Sequence, residues 1–278
     1  MSEVKERIGI GIITKDREEF FWKCWKSLEI CCDHIDEYVV VNDGKPYSGT
    51  PTIYSNTVDL IQHTKNTGVA ISKNQALQHL LDKGCDHIFL IEDDMLIKDP
   101  NIFEAYINAS KKSGVQHMMF GYHGPANRNG VSKGKPHPRL VVDYGDFSLA
   151  LNQHCVGAFC YYTKACLDDV GLIDEEFRNA FDHVSHSYEL ALKGYSTPYW
   201  WWADLANSTD YIEEQACSEE SSSIKTTERQ KEWYDNIRSS VDYFKSKYGV
   251  YPFGRDGVSD SAQADVVKFL KELKVNES

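Results

Sequence analysis

Over the first hundred residues, apolar and polar positions follow two alternating rhythms. Arg7–Thr14 is a run of β-favouring residues that stops at Lys15-Asp16-Arg17. Beyond it Phe21, Trp25, Leu28 and Cys32 recur at the spacing of a helix face. Asp16, with Glu19 three residues later, has the form of a capping box for that helix. A second strand, Tyr38–Val41, closes on the turn Asn42-Asp43-Gly44, and a short third, Thr57–Gln62, precedes Asn66-Thr67-Gly68. Ala70, Leu77 and Leu81 mark the next helix, with Gly84 as its stop. The apolar strand His87–Ile91 then runs directly into Glu92-Asp93-Asp94. Strands separated by helices of about 10–15 residues predict an α/β fold built from βαβ units around a mostly parallel sheet. Ligands bind such sheets beyond the carboxyl ends of the strands, where Thr14–Arg17, Asn42–Gly44 and Glu92–Asp94 fall.

The rest of the chain is less regular. Gln116–Tyr122 and Leu140–Tyr144 read as strands around a Gly-, Pro-, Asn- and Lys-rich loop, His123–Arg139. Val156–Thr163 is a further strand, followed by a helix over Lys164–Val170 and the turn Gly171–Asp174. Asp182–Lys193 reads as a helix ended by Gly194, and Tyr199–Trp202 as a last strand. Glu213–Thr227 is polar and Ser/Glu-rich, the composition of a mobile loop. Glu232–Tyr248 and Ala262–Leu273 have the pattern of two amphipathic helices.

Composition narrows the classes. The chain has 278 residues, 41% hydrophobic and 26% charged, which excludes disordered, collagen-like and coiled-coil proteins. Its longest apolar runs, Ile8–Ile13 and Tyr199–Trp202, are far short of the roughly 18–20 residues of a membrane span. Met1–Arg7 is not followed by the apolar stretch of a signal peptide. The expectation is a cytoplasmic protein with no transmembrane segment. Thirty basic against 42 acidic residues, a net charge of −12, argues against generic nucleic-acid binding, though not against a local basic patch. The 8 cysteines include no C-x-x-C pair and are expected to be buried free thiols.

The acidic triplet needs a physical reason, because three adjacent carboxylates repel one another. A divalent cation offsets that repulsion, and hard oxygen ligands suit Mn²⁺ or Mg²⁺, with phosphate oxygens completing the shell. The plain alternative is a solvated turn or helix cap. Asp43, behind a β-run and before a glycine, is placed to accept hydrogen bonds from a base or ribose hydroxyl. Asp16 and Arg17 stand where helix-terminal amides and a guanidinium can meet a nucleotide. Taken singly, each of these also reads as a cap or a turn.

In order, these segments resemble a known family. Ile12-Ile13-Thr14-Lys15-Asp16-Arg17, Val41-Asn42-Asp43-Gly44, Asn66-x-Gly68-x-Ala70-x-x-Lys73-Asn74 and Leu90-Ile91-Glu92-Asp93-Asp94 are similar to the nucleotide-sugar half of GT-A glycosyltransferases, especially family 2. The resemblance continues through Val156-Gly157-Ala158-Phe159, Val170-Gly171-Leu172-Ile173-Asp174 and Glu189-Leu190-Ala191-Leu192-Lys193-Gly194-Tyr195, covering roughly residues 7–205. It implies a Rossmann-like GT-A domain over residues 1–206, with a nucleotide-sugar half at 7–100 and an acceptor half at 101–206. Residues 207–278 would form a mobile loop and C-terminal helical extension.

The resemblance also implies roles. Asp43 would contact the nucleobase or ribose, with Thr14 and Arg17 lining the same pocket and Asn66, Gly68 and Lys73 beside the ribose and diphosphate. Glu92-Asp93-Asp94 corresponds to the D-x-D motif, with Asp94 the direct metal ligand, Glu92 a further one, and Asp93 near the sugar or ribose. Asp182 falls where the family carries its general base. The implied reaction is metal-dependent transfer from a UDP-sugar to an acceptor hydroxyl with inversion, an EC 2.4 hexosyl- or pentosyltransfer. The acceptor is open between a glycan, a protein, a metabolite and a modified nucleobase.

This chain departs from the family pattern at Phe181-Asp182, where members often carry Glu-Asp. His183 and His186 follow, and either is a candidate third metal ligand, an acceptor-orienting group or a packed histidine. Asp174 and Glu175 are rival bases. The loop carrying Arg128, Lys133, Lys135, His137 and Arg139 is a candidate cover for the diphosphate or else a solvated loop, and of Trp200–Trp202 at least one should be core. Two other functions fit parts of the pattern: a nucleotidyltransferase, which lacks its Gly-rich basic loop here, and a noncatalytic sugar-nucleotide or glycan-binding module.

Overall fold

The computed structural model describes residues 5–53, 58–130, 134–215, 230–253 and 260–276. Isoleucine-rich β1 (Ile8–Thr14) suits a pleated, buried strand. It leads into α1 (Glu18–Leu28), which buries Phe21, Cys24, Trp25 and Leu28; full burial of a Phe or Leu contributes about 1.5–3 kcal/mol. The predicted capping box does not form. The N-cap is Arg17, with no side-chain cap, because Asp16 takes a left-handed backbone (φ 52°) and its Oδ1 accepts from the Lys45 amide instead.

β2 (Glu37–Asn42), β3 (Val58–Gln62), α2 (Val69–Asp82) and β4 (His87–Glu92) complete the expected alternation. α2 lies directly on β1: a Cβ at Gly11 would stand 2.8 Å from the Ala76 Cβ. Next come β5 (Met95–Ile97), α3 (Ile102–Ser113), β6 (His117–Met119), β7 (Leu140–Asp143), β8 (Ser148–Asn152), β9 (Phe159–Thr163), α4 (Lys164–Val170) and α5 (Asp182–Leu192). β10 (Trp202–Leu205), α6 (Ser208–Tyr211), β11 (Ile212–Glu214), α7 (Gln230–Tyr248) and α8 (Asp260–Asn276) end the order.

The central sheet has six strands in the order β3-β2-β1-β4-β9-β6. β3, β2, β1 and β4 are mutually parallel, whereas β9 runs antiparallel to β4 and to β6. Register fixes the site: Thr14 lies opposite Asn42 and Ile13 opposite Glu92, so the ends of β1, β2 and β4 finish side by side. β10-β8-β7 form a small antiparallel sheet, and β11 pairs with β5 immediately after the acidic triplet.

Several elements differ from expectation. The strand expected at Tyr199–Trp202 is instead β10, which begins at Trp202, because Trp200 adopts a left-handed conformation (φ 71°) that breaks extended geometry. Trp202 and Trp201 are buried, as expected of at least one of the three. The strands expected at Gln116–Tyr122 and Val156–Thr163 shrink to β6 and β9. Most of the stretch Glu213–Thr227, together with Cys217 and Lys133, lies outside the described residues. The cysteines at 24, 31, 32, 85, 155, 160 and 166 are free thiols.

One large core surrounds the sheet, with Phe89, Phe103, Tyr106, Phe159 and Tyr161 in mutual ring contact. A second, small cluster of Phe177, Val184, Tyr188 and Phe244 seats α7 on α5. Among the described residues no helix is long and apolar enough to cross a membrane.

Candidate functional site

The three strand ends open on one cleft, lined by Thr14, Arg17, Asp43, Asn66, Ser72 and Glu92 among others. Behind Arg17 the turn after β4 buries Asp93 and Asp94. Arg17 bridges the two, its guanidinium on Asp93 and 3.1 Å from Asp94 Oδ2. Thr14 Oγ1 donates to Asp93 Oδ2 at 2.6 Å and stands 2.7 Å from the Tyr47 hydroxyl. Burial pushes the Asp93 carboxyl up to about 7 against the pull of Arg17. Burial opposes charge on Arg17 too, but the facing carboxylates outweigh it and hold the guanidinium firmly protonated. Gln215, just past β11, braces this turn: its side chain donates to the Asp93 and Phe20 carbonyls, and its amide to the Asp94 carbonyl at 2.7 Å.

Asp43 anchors the opposite end. Its Oδ1 accepts from the Thr67 amide (2.7 Å) and hydroxyl (2.9 Å) and lies 2.6 Å from His63 Nδ1, while Oδ2 accepts from the Gly68 amide at 2.9 Å. Burial works against the anion here, and these donors outweigh it, leaving the carboxyl below its ordinary range. A carboxylate offers about four lone-pair sites, so Oδ2, with one donor, can accept another hydrogen bond. Asn66 is exposed beside this anchor, its carbonyl held by Arg178 at 3.2 Å.

A third cluster joins α2 to α5. Lys73 Nζ is 3.0 Å from Glu92 Oε1, 3.0 Å from Asp182 Oδ2 and 3.3 Å from the Gly157 carbonyl. Burial of the lysine disfavours its charge, yet the two carboxylates prevail and it stays protonated. Asp182 is likewise buried, but Lys73 and His183 more than offset that and keep it far below the carboxylate range.

The structure thus brings Thr14, Arg17, Asp43, Asn66, Gly68, Lys73, Glu92, Asp93, Asp94 and Asp182 to one side of the sheet. The histidines divide. His183 Nδ1 lies 3.5 Å from Asp182 Oδ1. His186 is buried against Tyr162, with Nε2 2.9 Å from the Gly171 carbonyl. The rival bases are engaged elsewhere: Asp174 holds Lys247 and the Tyr243 hydroxyl, and Glu175 accepts from Asn74. Two residues of the basic loop are likewise committed, Arg128 to the Tyr122 and Gly134 carbonyls and Arg139 over the Trp201 ring, while Lys135 and His137 are exposed.

Sequence reasoning missed His63, Thr67 and Gln215. Thr67 lay inside a quoted motif, whereas His63 and Gln215 reach the site through pairings that no local pattern encodes.

Among the described residues no group of three or more His, Cys, Asp or Glu side chains is gathered to hold a metal. One donor nevertheless fits: Asp94 Oδ1 is buried with no hydrogen-bond partner among the described residues. A hard cation bound through one or two carboxylates plus substrate phosphates asks for no more. Glu92, committed to Lys73, fits less well.

No protein-family model matches the sequence, and no curated protein is significantly similar to it. Solved structures are similar in fold. S. aureus TarS 1-349 in complex with UDP is 14% identical with a TM-score of 0.52, covering 96% of this chain and 70% of that one. The mannosyltransferase PcManGT from Pyrobaculum calidifontis, in complex with GDP-Man and Mn²⁺, is 13% identical with a TM-score of 0.53, covering 99% and 72%. The chain has the GT-A fold. GalNAc-T7 with UDP, GalNAc and Mn²⁺ reaches a TM-score of 0.59 at 8% identity, with 98% of this chain spanning 55% of that one. Within the GT-A frame the cleft at the ends of β1, β2 and β4 is the topological position for a ligand.

Proposed function

We propose that this chain is a metal-dependent glycosyltransferase that moves a hexosyl or pentosyl group from a UDP-sugar to an acceptor hydroxyl with inversion. The observation that carries the reading is that Asp43, Arg17 and Glu92 line one cleft of a GT-A fold, with the Asp93-Asp94 turn held behind Arg17 and Asp182 joined to Glu92 through Lys73. Asp43 Oδ2 and the exposed Asn66 take the base and ribose. Thr14 and Arg17 line the pocket, the Gly68 amide holds Asp43 and Asp93 backs Arg17, and Lys73 ties Glu92 to α5.

Asp94 would hold Mn²⁺ or Mg²⁺ through its unpartnered Oδ1, with Arg17 releasing Oδ2 as the donor enters. That cation would neutralise the diphosphate leaving group. Glu92 and His186 are held by other partners and are left out of the ligand set, as is His183, whose Nδ1 faces Asp182 at 3.5 Å. Asp182 supplies the negative charge toward which the acceptor proton is drawn as its oxygen attacks.

Residues 1–206 would carry the reaction and 207–278 brace it, since Gln215 and α7 both contact site elements. Seven free thiols among the described residues agree with a reducing, cytoplasmic setting. The direct test is release of UDP from UDP-sugars with Mn²⁺. Tight UDP binding without turnover of any donor would instead favour the binding module.

A further inference from the structure

Asp182 is poorly disposed to take a proton from an acceptor by itself. It is 3% exposed. Its Oδ2 is held by Lys73 Nζ at 3.0 Å, and its Oδ1 faces His183 Nδ1 at 3.5 Å. A carboxylate clamped by a buried ammonium is a weak base, whereas a neutral imidazole that donates from one nitrogen keeps a lone pair on the other to accept a proton. His183 is the open member of the trio, with 26% of its side chain exposed, and its Nε2 has no hydrogen-bond partner among the described residues.

The ring is also held in place. It lies on the backbone of Gly157, where a Cβ would come within 2.5 Å of the imidazole Cγ and 2.7 Å of Nδ1. Gly157 in turn gives its carbonyl to Lys73. Any side chain at 157 would displace the imidazole from Asp182.

We infer that His183 Nε2 takes the acceptor proton and that Asp182 is a positioning residue, holding the His183 Nδ1–H and stabilising the imidazolium. The inference rests on the transferase reading of the site. In the step it describes, the acceptor oxygen forms a bond to the anomeric carbon while its proton passes to Nε2. The bond from that carbon to the diphosphate oxygen breaks, and its electron pair leaves with the diphosphate. The imidazolium later returns the proton to solvent. The 3.5 Å separation is long for a hydrogen bond, as catalytic contacts often are before substrate binds.

Two measurements on the full chain test it. The first is the ¹⁵N spectrum of the imidazoles, with His183 assigned by its loss in His183→Gln. Wild type should show the neutral ring protonated at Nδ1, and Asp182→Asn should shift the proton toward Nε2. A wild-type ring protonated at Nε2 overturns the inference whatever the enzyme turns over.

The second is UDP release from UDP-glucose or UDP-N-acetylglucosamine with Mn²⁺ and water as acceptor. His183→Ala should fall about 100-fold or more, with UDP affinity within twofold of wild type, and added imidazole should restore release. Unchanged release by His183→Ala overturns the inference and leaves the transferase reading standing. Absence of UDP binding by wild type overturns the transferase reading instead, and the ¹⁵N measurement still decides the pair.

Discussion

Lys73 Nζ lies 3.0 Å from Asp182 Oδ2, across 109 positions of sequence, and both side chains are buried. The same ammonium reaches Glu92 at the end of β4 at 3.0 Å, so one cation ties α2, the strand that carries the acidic turn and the first residue of α5. The spacing of α2, β4 and α5 therefore depends on one buried ammonium. Removing one partner of a buried pair leaves the other uncompensated, at about 3–5 kcal/mol. Lys73→Met is expected to lower the unfolding free energy by that amount, measured by urea denaturation. A loss below about 1 kcal/mol would mean that Glu92 and Asp182 are satisfied without it.

Asp182→Asn keeps the size of the side chain and removes its charge. Lys73 retains Glu92 as a partner, so the nucleotide side of the cleft should stay in place. UDP affinity with Mn²⁺, read by calorimetry, should remain within about twofold, while transfer should drop by roughly 10²-fold or more, the usual contribution of acid–base machinery. Near-normal turnover would remove Asp182 from the chemistry.

The parts of this fold that the sequence made legible were those written locally. Ile8–Thr14 alternates too little and branches too much to be anything but a buried strand, and Leu77 with Gly84 marks a helix and its stop. The carboxylates at the strand ends were legible for the same reason, since burial and polarity change abruptly there. What escaped depends on contacts between distant segments. β11 is three residues long and becomes a strand only by pairing with β5. The capping box had the right residues but lost Asp16 to the Lys45 amide, a partner 29 positions away. Arg17 was expected in a nucleotide pocket, yet nothing in its neighbourhood announced that it would bridge Asp93 and Asp94.

That bridge sets the expectation for metal. Asp94 offers one oxygen with no partner among the described residues and a second shared with Arg17. Asp94→Ala is expected to weaken UDP binding in the presence of Mn²⁺ at least about tenfold, to the level wild type shows in EDTA; tenfold is about 1.4 kcal/mol. Equal affinity of variant and wild type in Mn²⁺ would show that the cation is held elsewhere or not used.

A last prediction concerns stability, away from the cleft. Asp204, fully buried at β10, accepts from the Tyr106 hydroxyl at 2.5 Å, the Gly121 amide at 2.9 Å and Ser208 Oγ at 2.7 Å. Burial outweighs these donors and pushes its carboxyl up to about 7, whereas an unfolded aspartate titrates near about 3.9. Between those values the folded chain holds a proton that the unfolded chain has lost. The stability this group contributes is therefore complete below about pH 4 and is lost as pH rises through 7.

His117 runs the other way. Burial drives it down to about 3, so its contribution is lost as pH falls below the ordinary histidine value of about 6.5, which opposes the Asp204 effect in wild type. Asp204→Asn removes one of them. The variant should be less stable than wild type at pH 4, and that gap should shrink by up to about 4 kcal/mol by pH 7, read as urea midpoints across the range. A gap that stays constant or widens with pH would mean that Asp204 is ionised in the folded chain throughout.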